Sequence, residues 1–288
     1  MNKNIEYVKS PLNYTGGKYK ILPCIFQYFP KEIETFVDLF GGGFNVGINV
    51  DAKKIIYNDH ITYLKEMFEF FKEAEYSFIL ENIKARICEF NLDSQNVEGY
   101  LKLREKYNRY KNILDLFVLT CYSFNHQIRF NNKLEFNTPF GKNRSIYNSS
   151  IEKNLFKFIF NLKNKNIEFF SNDFSYIKNY SFKNNDFIYC DPPYLISNAC
   201  YNDGKRGFGN WTQNKDKELL DLLDYLNKKG IKFLLSNVLM HKGNVNENLI
   251  KWSHKYNVKY INKKYNNCNY QLKSKKEDTQ EVVIYNYN

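Results

Sequence analysis

Asp191-Pro192-Pro193-Tyr194 is the tetrapeptide whose residue types promise the most chemistry in this 288-residue chain. It follows an apolar run, Phe187-Ile188-Tyr189-Cys190, that reads as a strand. Two prolines fix their own φ and remove two N–H donors, which leaves a stiff loop rich in acceptors. The Asp191 carboxylate and the Pro192 carbonyl could each take one hydrogen of an exocyclic amino group, with the Tyr194 ring as a surface for a base. An amino nitrogen conjugated to a base attacks poorly. Two acceptors on its hydrogens favour a pyramidal nitrogen, aim its lone pair at a sulfonium methyl and stabilise the positive charge that develops. Alignment supplies the rest, with no metal and no covalent enzyme intermediate. The structural alternative is a proline turn that merely caps a strand.

A second constellation lies upstream. Phe36-Val37-Asp38-Leu39-Phe40-Gly41-Gly42-Gly43 is a strand that runs into glycines. Ligands in α/β sheets bind at the carboxyl ends of strands, and glycines there admit a tight turn and close backbone approach. It is neither a Walker loop nor a G-x-G-x-x-G. The next apolar run ends at Tyr57-Asn58-Asp59, and an acid some way past such a turn commonly holds ribose hydroxyls; an N-cap aspartate is the alternative. Tyr14-Thr15-Gly16-Gly17-Lys18 is either a plain glycine turn or a segment whose backbone and Lys18 close over a nucleoside or carboxylate.

The elements that must position these residues read as α/β with a largely parallel sheet. Expected strands are Thr35–Phe40, Lys54–Tyr57, Asp186–Cys190, Lys232–Ser236 and Glu281–Tyr285, and expected helices are Tyr63–Ala74, Lys215–Lys228 and Asn246–Tyr256. Residues 62–149 read as an insertion, mostly helical, with helices at Tyr100–Tyr110 and Asn112–Ser123 and then a polar, basic and aromatic β-hairpin. Residues 1–61 and 150–288 form the remaining domain in this reading.

Lys and Arg number 42 against 31 Asp and Glu, and the net charge of +11 suits a polyanionic partner without proving one. The six cysteines form no C-x-x-C pair and the four histidines lack ligand spacing, so neither a metal site nor a disulfide framework is expected. No apolar run is long enough for a bilayer, and Met1 to Lys20 lacks a signal-peptide core, which predicts a cytoplasmic protein.

The order of these blocks, Tyr14–Lys18, then Phe40–Gly43, then an insertion, then Asp191–Tyr194, resembles the α group of D12 class, Dam-like DNA adenine-N6 methyltransferases. The resemblance spans essentially the whole chain. It implies a Rossmann-like S-adenosylmethionine-dependent methyltransferase sheet, with an inserted target-recognition domain that carries the hairpin. It places Tyr14, Lys18, Asp59 and Asp191 around S-adenosylmethionine, Phe40 and Gly41 along it, and Asp173 or Phe174 near its adenine. Tyr14 stands where Dam has tryptophan. Asp191, Pro192, Pro193 and Tyr194 become the catalytic loop. In the segments Phe124–Asn131 and Glu135–Gly141, it makes Phe124 the aromatic wedge in the duplex, Asn125 a phosphate or base contact and Arg129 a guanine reader. Gln127, Asn131 and Pro139 complete the expected DNA-binding set. Tyr265–Tyr270 and Glu281–Asn286 resemble the family's closing segment more weakly.

The implied reaction is methylation of adenine N6 in double-stranded DNA, at 5′-GATC, after base flipping. The implied setting is bacterial, as the modification half of a restriction–modification pair with a cognate endonuclease acting on the same site. Two rivals stay open: a cytosine-N4 methyltransferase, because that chemistry uses a similar loop, and a DNA-binding regulator on a decayed methyltransferase fold.

Overall fold

The computed structural model describes residues 6–196, 211–261 and 279–288. Among these residues eight strands form one sheet: β1 Thr35–Asp38, β2 Lys54–Asn58, β3 Ile167–Phe170, β4 Phe187–Cys190, β5 Lys232–His241, β6 Asn244–Val245, β7 Asn257–Tyr260 and β8 Gln280–Tyr285. The order is β3-β2-β1-β4-β5-β8-β7, with β6 paired to β5. β3, β2, β1, β4 and β5 run parallel, and β8 runs antiparallel to both β5 and β7. The chain therefore winds outward from β1 to β3 and returns to the centre at β4. That reversal makes the carboxyl ends of β1 and β4 the natural binding crevice of the sheet.

Among the described residues the α-helices are α1 Leu22–Phe26, α2 Thr62–Glu73, α3 Tyr76–Glu89, α4 Val97–Tyr110, α5 Ile113–Tyr122, α6 Ser149–Asn164, α7 Gln213–Lys228 and α8 Glu247–Ser253. Both faces of the sheet are covered, so the central strands are apolar throughout rather than alternating. Phe36, Tyr57, Phe187, Tyr189 and Leu234 point into a core continuous with α2, α5 and α6. Val37, Ile56, Ile188, Cys190 and Leu235 point the other way, under Leu219, Leu222, Leu223 and Leu226 of α7.

The parallel sheet and the named helices appear within a few residues of their expected ends, save β5. It runs on to His241, because past Ser236 it keeps pairing with β8 through a bulge and then folds back onto β6. β3, β7, α3 and α6 were not expected individually. The expected β-hairpin differs more. Its arms meet only at isolated bridges, Ser123 with Phe140 and Phe130 with Phe136. Left-handed φ at Asn125, His126 and Leu134 interrupts any regular ladder. Side chains of α4 hold the second arm instead: Tyr100 donates to the Thr138 carbonyl, and Asn108 both donates to the Phe136 carbonyl and accepts its N–H.

Candidate active site

Register builds the site. Asp38 lies beside Tyr189 in the β1–β4 pair, and the Leu39 N–H donates to the Tyr189 carbonyl at 3.0 Å. The glycine loop and the Asp191 loop must therefore emerge side by side. The glycine loop is pinned to the end of β2: Gly41 N–H donates to the Asn58 carbonyl at 2.8 Å, Gly42 N–H to Asp59 Oδ2 at 2.8 Å, and the Tyr57 hydroxyl to the Gly42 carbonyl at 3.0 Å. A Cβ at Gly41 would run into the Tyr57 ring, and Gly42 has φ +46°, so both positions need glycine. Tyr14 closes the other side, since a Cβ at Gly43 would meet the Tyr14 Cβ at 2.9 Å.

Lys18 reaches across from the N-terminal turn. Its Nζ lies 2.6 Å from Asp191 Oδ2, donates to the Gly16 carbonyl at 3.1 Å and sits 5.1 Å from the centre of the Tyr194 ring. The Tyr194 hydroxyl donates to Asp191 Oδ1 at 3.1 Å. Burial raises the Asp191 carboxyl above its ordinary value, and Lys18 works against that shift. Burial alone would lower Lys18, but the field of Asp191, its hydrogen bond and the field of Glu281 outweigh it and favour the ammonium.

Tyr14, Lys18, Phe40, Gly41, Asp59, Asp191, Pro192, Pro193 and Tyr194, all singled out from sequence, line one open cleft. Asp59 is buried and accepts from the backbone N–H groups of Gly42 and Ile61. It orders the glycine loop, and Ile61, not Asp59, is the N-cap of α2. Asp173 and Phe174 stand behind this lining. Phe174 packs on Phe40 at 5.6 Å between ring centroids, and Asp173 caps the following 3-10 turn and pairs with Lys215.

Several lining or backing residues were missed, Asn45 and Val46 among them. Asp38 is buried, accepts from Gly47 N–H at 2.9 Å, and burial pushes its carboxyl up to about 8. An acid at the last position of a strand that enters glycines was the available signal. Tyr189 lines the cleft from β4. Trp211 lies 5.7 Å from both Phe40 and Phe174, a contact that nothing local in the sequence marks.

The expected DNA-reading residues gather elsewhere, on the segment between α5 and α6. Phe124, Asn125, Gln127 and Pro139 are exposed, with Phe124 at 39%. Asn131 shapes the tip, accepting from the N–H groups of Lys133 and Glu135. Asn13, next to Tyr14, donates to the Asn125 carbonyl at 2.9 Å and so links the two regions. Among the described residues no cluster of His, Cys, Asp or Glu is fit for a metal, and no helix is long and apolar enough to cross a membrane.

A winding sheet whose reversal carries a glycine loop beside an Asp-Pro-Pro-Tyr loop defines a methyltransferase-type architecture. The chain belongs to the D12 class of N6 adenine-specific DNA methyltransferases, whose family pattern it matches over residues 14–282. It is 47% identical to the type II methyltransferase M.FokI of Planomicrobium okeanokoites over 99% of this chain and 44% of that protein. It is 48% identical to the modification methylase StsI of Streptococcus sanguinis, over 98% and 43%. The DNA adenine methylase of Escherichia coli is 27% identical over 82% of each chain. The chain thus spans a little under half the length of the first two relatives.

Proposed function

We propose that this chain transfers a methyl group from S-adenosylmethionine to N6 of adenine in double-stranded DNA. The observation that carries this reading is the Lys18–Asp191–Tyr194 constellation, set beside the glycine loop in one cleft. The cleft fits the cofactor chemically. Asp59 and Asp191 against Lys18, with Asp38 able to ionise as a cation binds, suit a cationic sulfonium and ammonium, Lys18 suits a carboxylate, and Phe40 backed by Phe174 suits an adenine ring.

When bound, the cofactor supplies an electrophilic methyl on a sulfonium. The chain's residues do the rest. Asp191 and the Pro192 carbonyl take the two N6 hydrogens, and a carboxylate already bonded at each oxygen retains further lone pairs for this. Tyr194 stacks the flipped base. Asp191 is also the nearest acceptor for the proton that nitrogen must lose, and burial strengthens its hold on a proton.

Residues 62–149 serve as the target-recognition part and residues 1–61 with 150–288 as the catalytic part. Phe124, Asn125, Gln127, Arg129, Asn131 and Pro139 face the DNA. The setting is the bacterial cytoplasm. The names of the relatives, a type II methyltransferase and a modification methylase, support a modification role alongside a restriction endonuclease acting on the same site. The site is 5′-GATC, on the strength of the Arg129 segment. A different site read by the same segment is the second reading, favoured by the higher identity to the modification methylases than to the adenine methylase. Sequencing N6-methyladenine in DNA from cells that express the chain tests both. Methylation at every GATC supports the first, methylation confined to another short motif replaces the site, and no motif-linked methylation refutes the reaction.

A further inference from the structure

Arg129 does not float above the recognition segment. Its Nε donates to Asn137 Oδ1 at 2.8 Å and its Nη2 to the Asn137 carbonyl at 2.9 Å. One residue on the opposite arm thus holds the whole Nε–Nη2 edge of the guanidinium. Among the described residues no other hydrogen bond to this side chain is present, so the Nη1–Nη2 end is the edge left for a ligand. That end matches two adjacent acceptors, such as O6 and N7 of guanine.

The clamp itself stands on rigid ground. Asn137 N–H donates back to the Arg129 carbonyl at 3.0 Å, which fixes the two residues against each other. On either side of Asn137, Phe136 is bound at both its N–H and its carbonyl by Asn108, and the Thr138 carbonyl by Tyr100, both from α4. Beneath the clamp Phe130 and Phe136 are buried edge to face at 5.8 Å, with Tyr63 at 4.8 Å from Phe130. A free arginine on an exposed loop samples many rotamers and greets any acceptor, phosphates included. An arginine held along one edge presents a fixed fork.

We infer that Asn137 is a specificity-determining positioning residue: it aims the free end of Arg129 at a guanine and so converts a general cation into a base reader. The inference rests on Arg129 as the guanine contact proposed above. Asn137 itself need touch no DNA.

The test uses the full chain and duplexes that carry its mapped methylation site, with each guanine in turn replaced by 7-deazaguanine, which lacks N7. The readout is the ratio of kcat/KM on the natural duplex to that on each substituted duplex. Arg129→Ala first identifies the guanine whose ratio collapses. Asn137→Ala is then expected to lower the ratio at that same guanine by about tenfold, with cofactor affinity and melting temperature near those of the parent. Asn137→Asp, which keeps an acceptor for Nε, is expected to restore it. If Asn137→Ala does not fold, Asn137→Ser carries the same readout with a shortened side chain. An unchanged ratio in Asn137→Ala or Asn137→Ser beside a collapsed ratio in Arg129→Ala overturns the clamp and leaves the base contact standing. Ratios unchanged in Arg129→Ala overturn the base contact and the clamp with it.

Discussion

Lys18 Nζ lies 2.6 Å from Asp191 Oδ2, with the lysine side chain 6% exposed and the aspartate 17%. A pair this buried depends on both partners, since removing one strands the other charge. Lys18 lowers the Asp191 carboxyl while burial raises it. Lys18→Met is therefore expected to raise Asp191 further. The acid limb of the rate against pH should move up with it, so the variant loses more activity at pH 7 than at pH 9. A limb that stays in place would show that Asp191 is not tuned by Lys18.

Asp38 yields a second pH effect. Its folded value, about 8, lies above its ordinary 3.8, so the folded state holds the extra proton. Its contribution to stability is present at low pH and is lost as pH rises through 8. Asp38→Asn mimics the protonated form and should flatten the decline in melting temperature between pH 5 and 9. A bound cation favours the carboxylate, so cofactor binding at pH 7 should release a proton from Asp38. Calorimetry in buffers of different ionisation heat reads that release, and Asp38→Asn should abolish it.

At Gly41 the glycine loop has no room for a side chain. Gly41→Ala drives a Cβ into the buried Tyr57 ring, itself bonded to the Gly42 carbonyl. A cost of about 1–3 kcal/mol is expected in denaturant melts, with cofactor binding weakened in parallel. Gly41→Ala combined with Tyr57→Leu should recover part of the loss.

Asn13 joins the turn before Tyr14 to the Asn125 carbonyl, beside two consecutive residues of left-handed φ. Asn13→Ala should leave cofactor affinity intact and raise KM for DNA by about two- to tenfold, the loss expected for one hydrogen bond. A change in cofactor affinity alone would place Asn13 with the cofactor site only.

Much of the site was legible because its chemistry is contiguous. Asp191–Tyr194 and Phe40–Gly43 carry their residue pattern in the local run, and each follows a strand. What was missed is relational. The Asn137 clamp appears only when the chain folds back over eight residues, and Trp211 reaches Phe40 from far along the chain. Asp59, expected to serve a ligand, lines the cleft and also orders the glycine loop, a second role set by the neighbouring strand. α6 escaped because Lys and Asn are interspersed through Ser149–Asn164, although Leu155, Phe158, Ile159 and Leu162 keep helical spacing. The segment between α5 and α6 reads as a hairpin by composition, but α4 rather than a ladder holds it. Tyr265–Tyr270 lies outside the described residues.

The most direct measurement is transfer of a labelled methyl from S-adenosylmethionine to duplex DNA by the parent chain and by Asp191→Ala, with nucleoside analysis of the product. The expected result is label in N6-methyladenine for the parent and none for Asp191→Ala, which still binds DNA. Label in a different base, or full transfer by Asp191→Ala, would contradict the assignment of the Asp191 loop as the catalytic centre of an adenine-N6 methyltransferase.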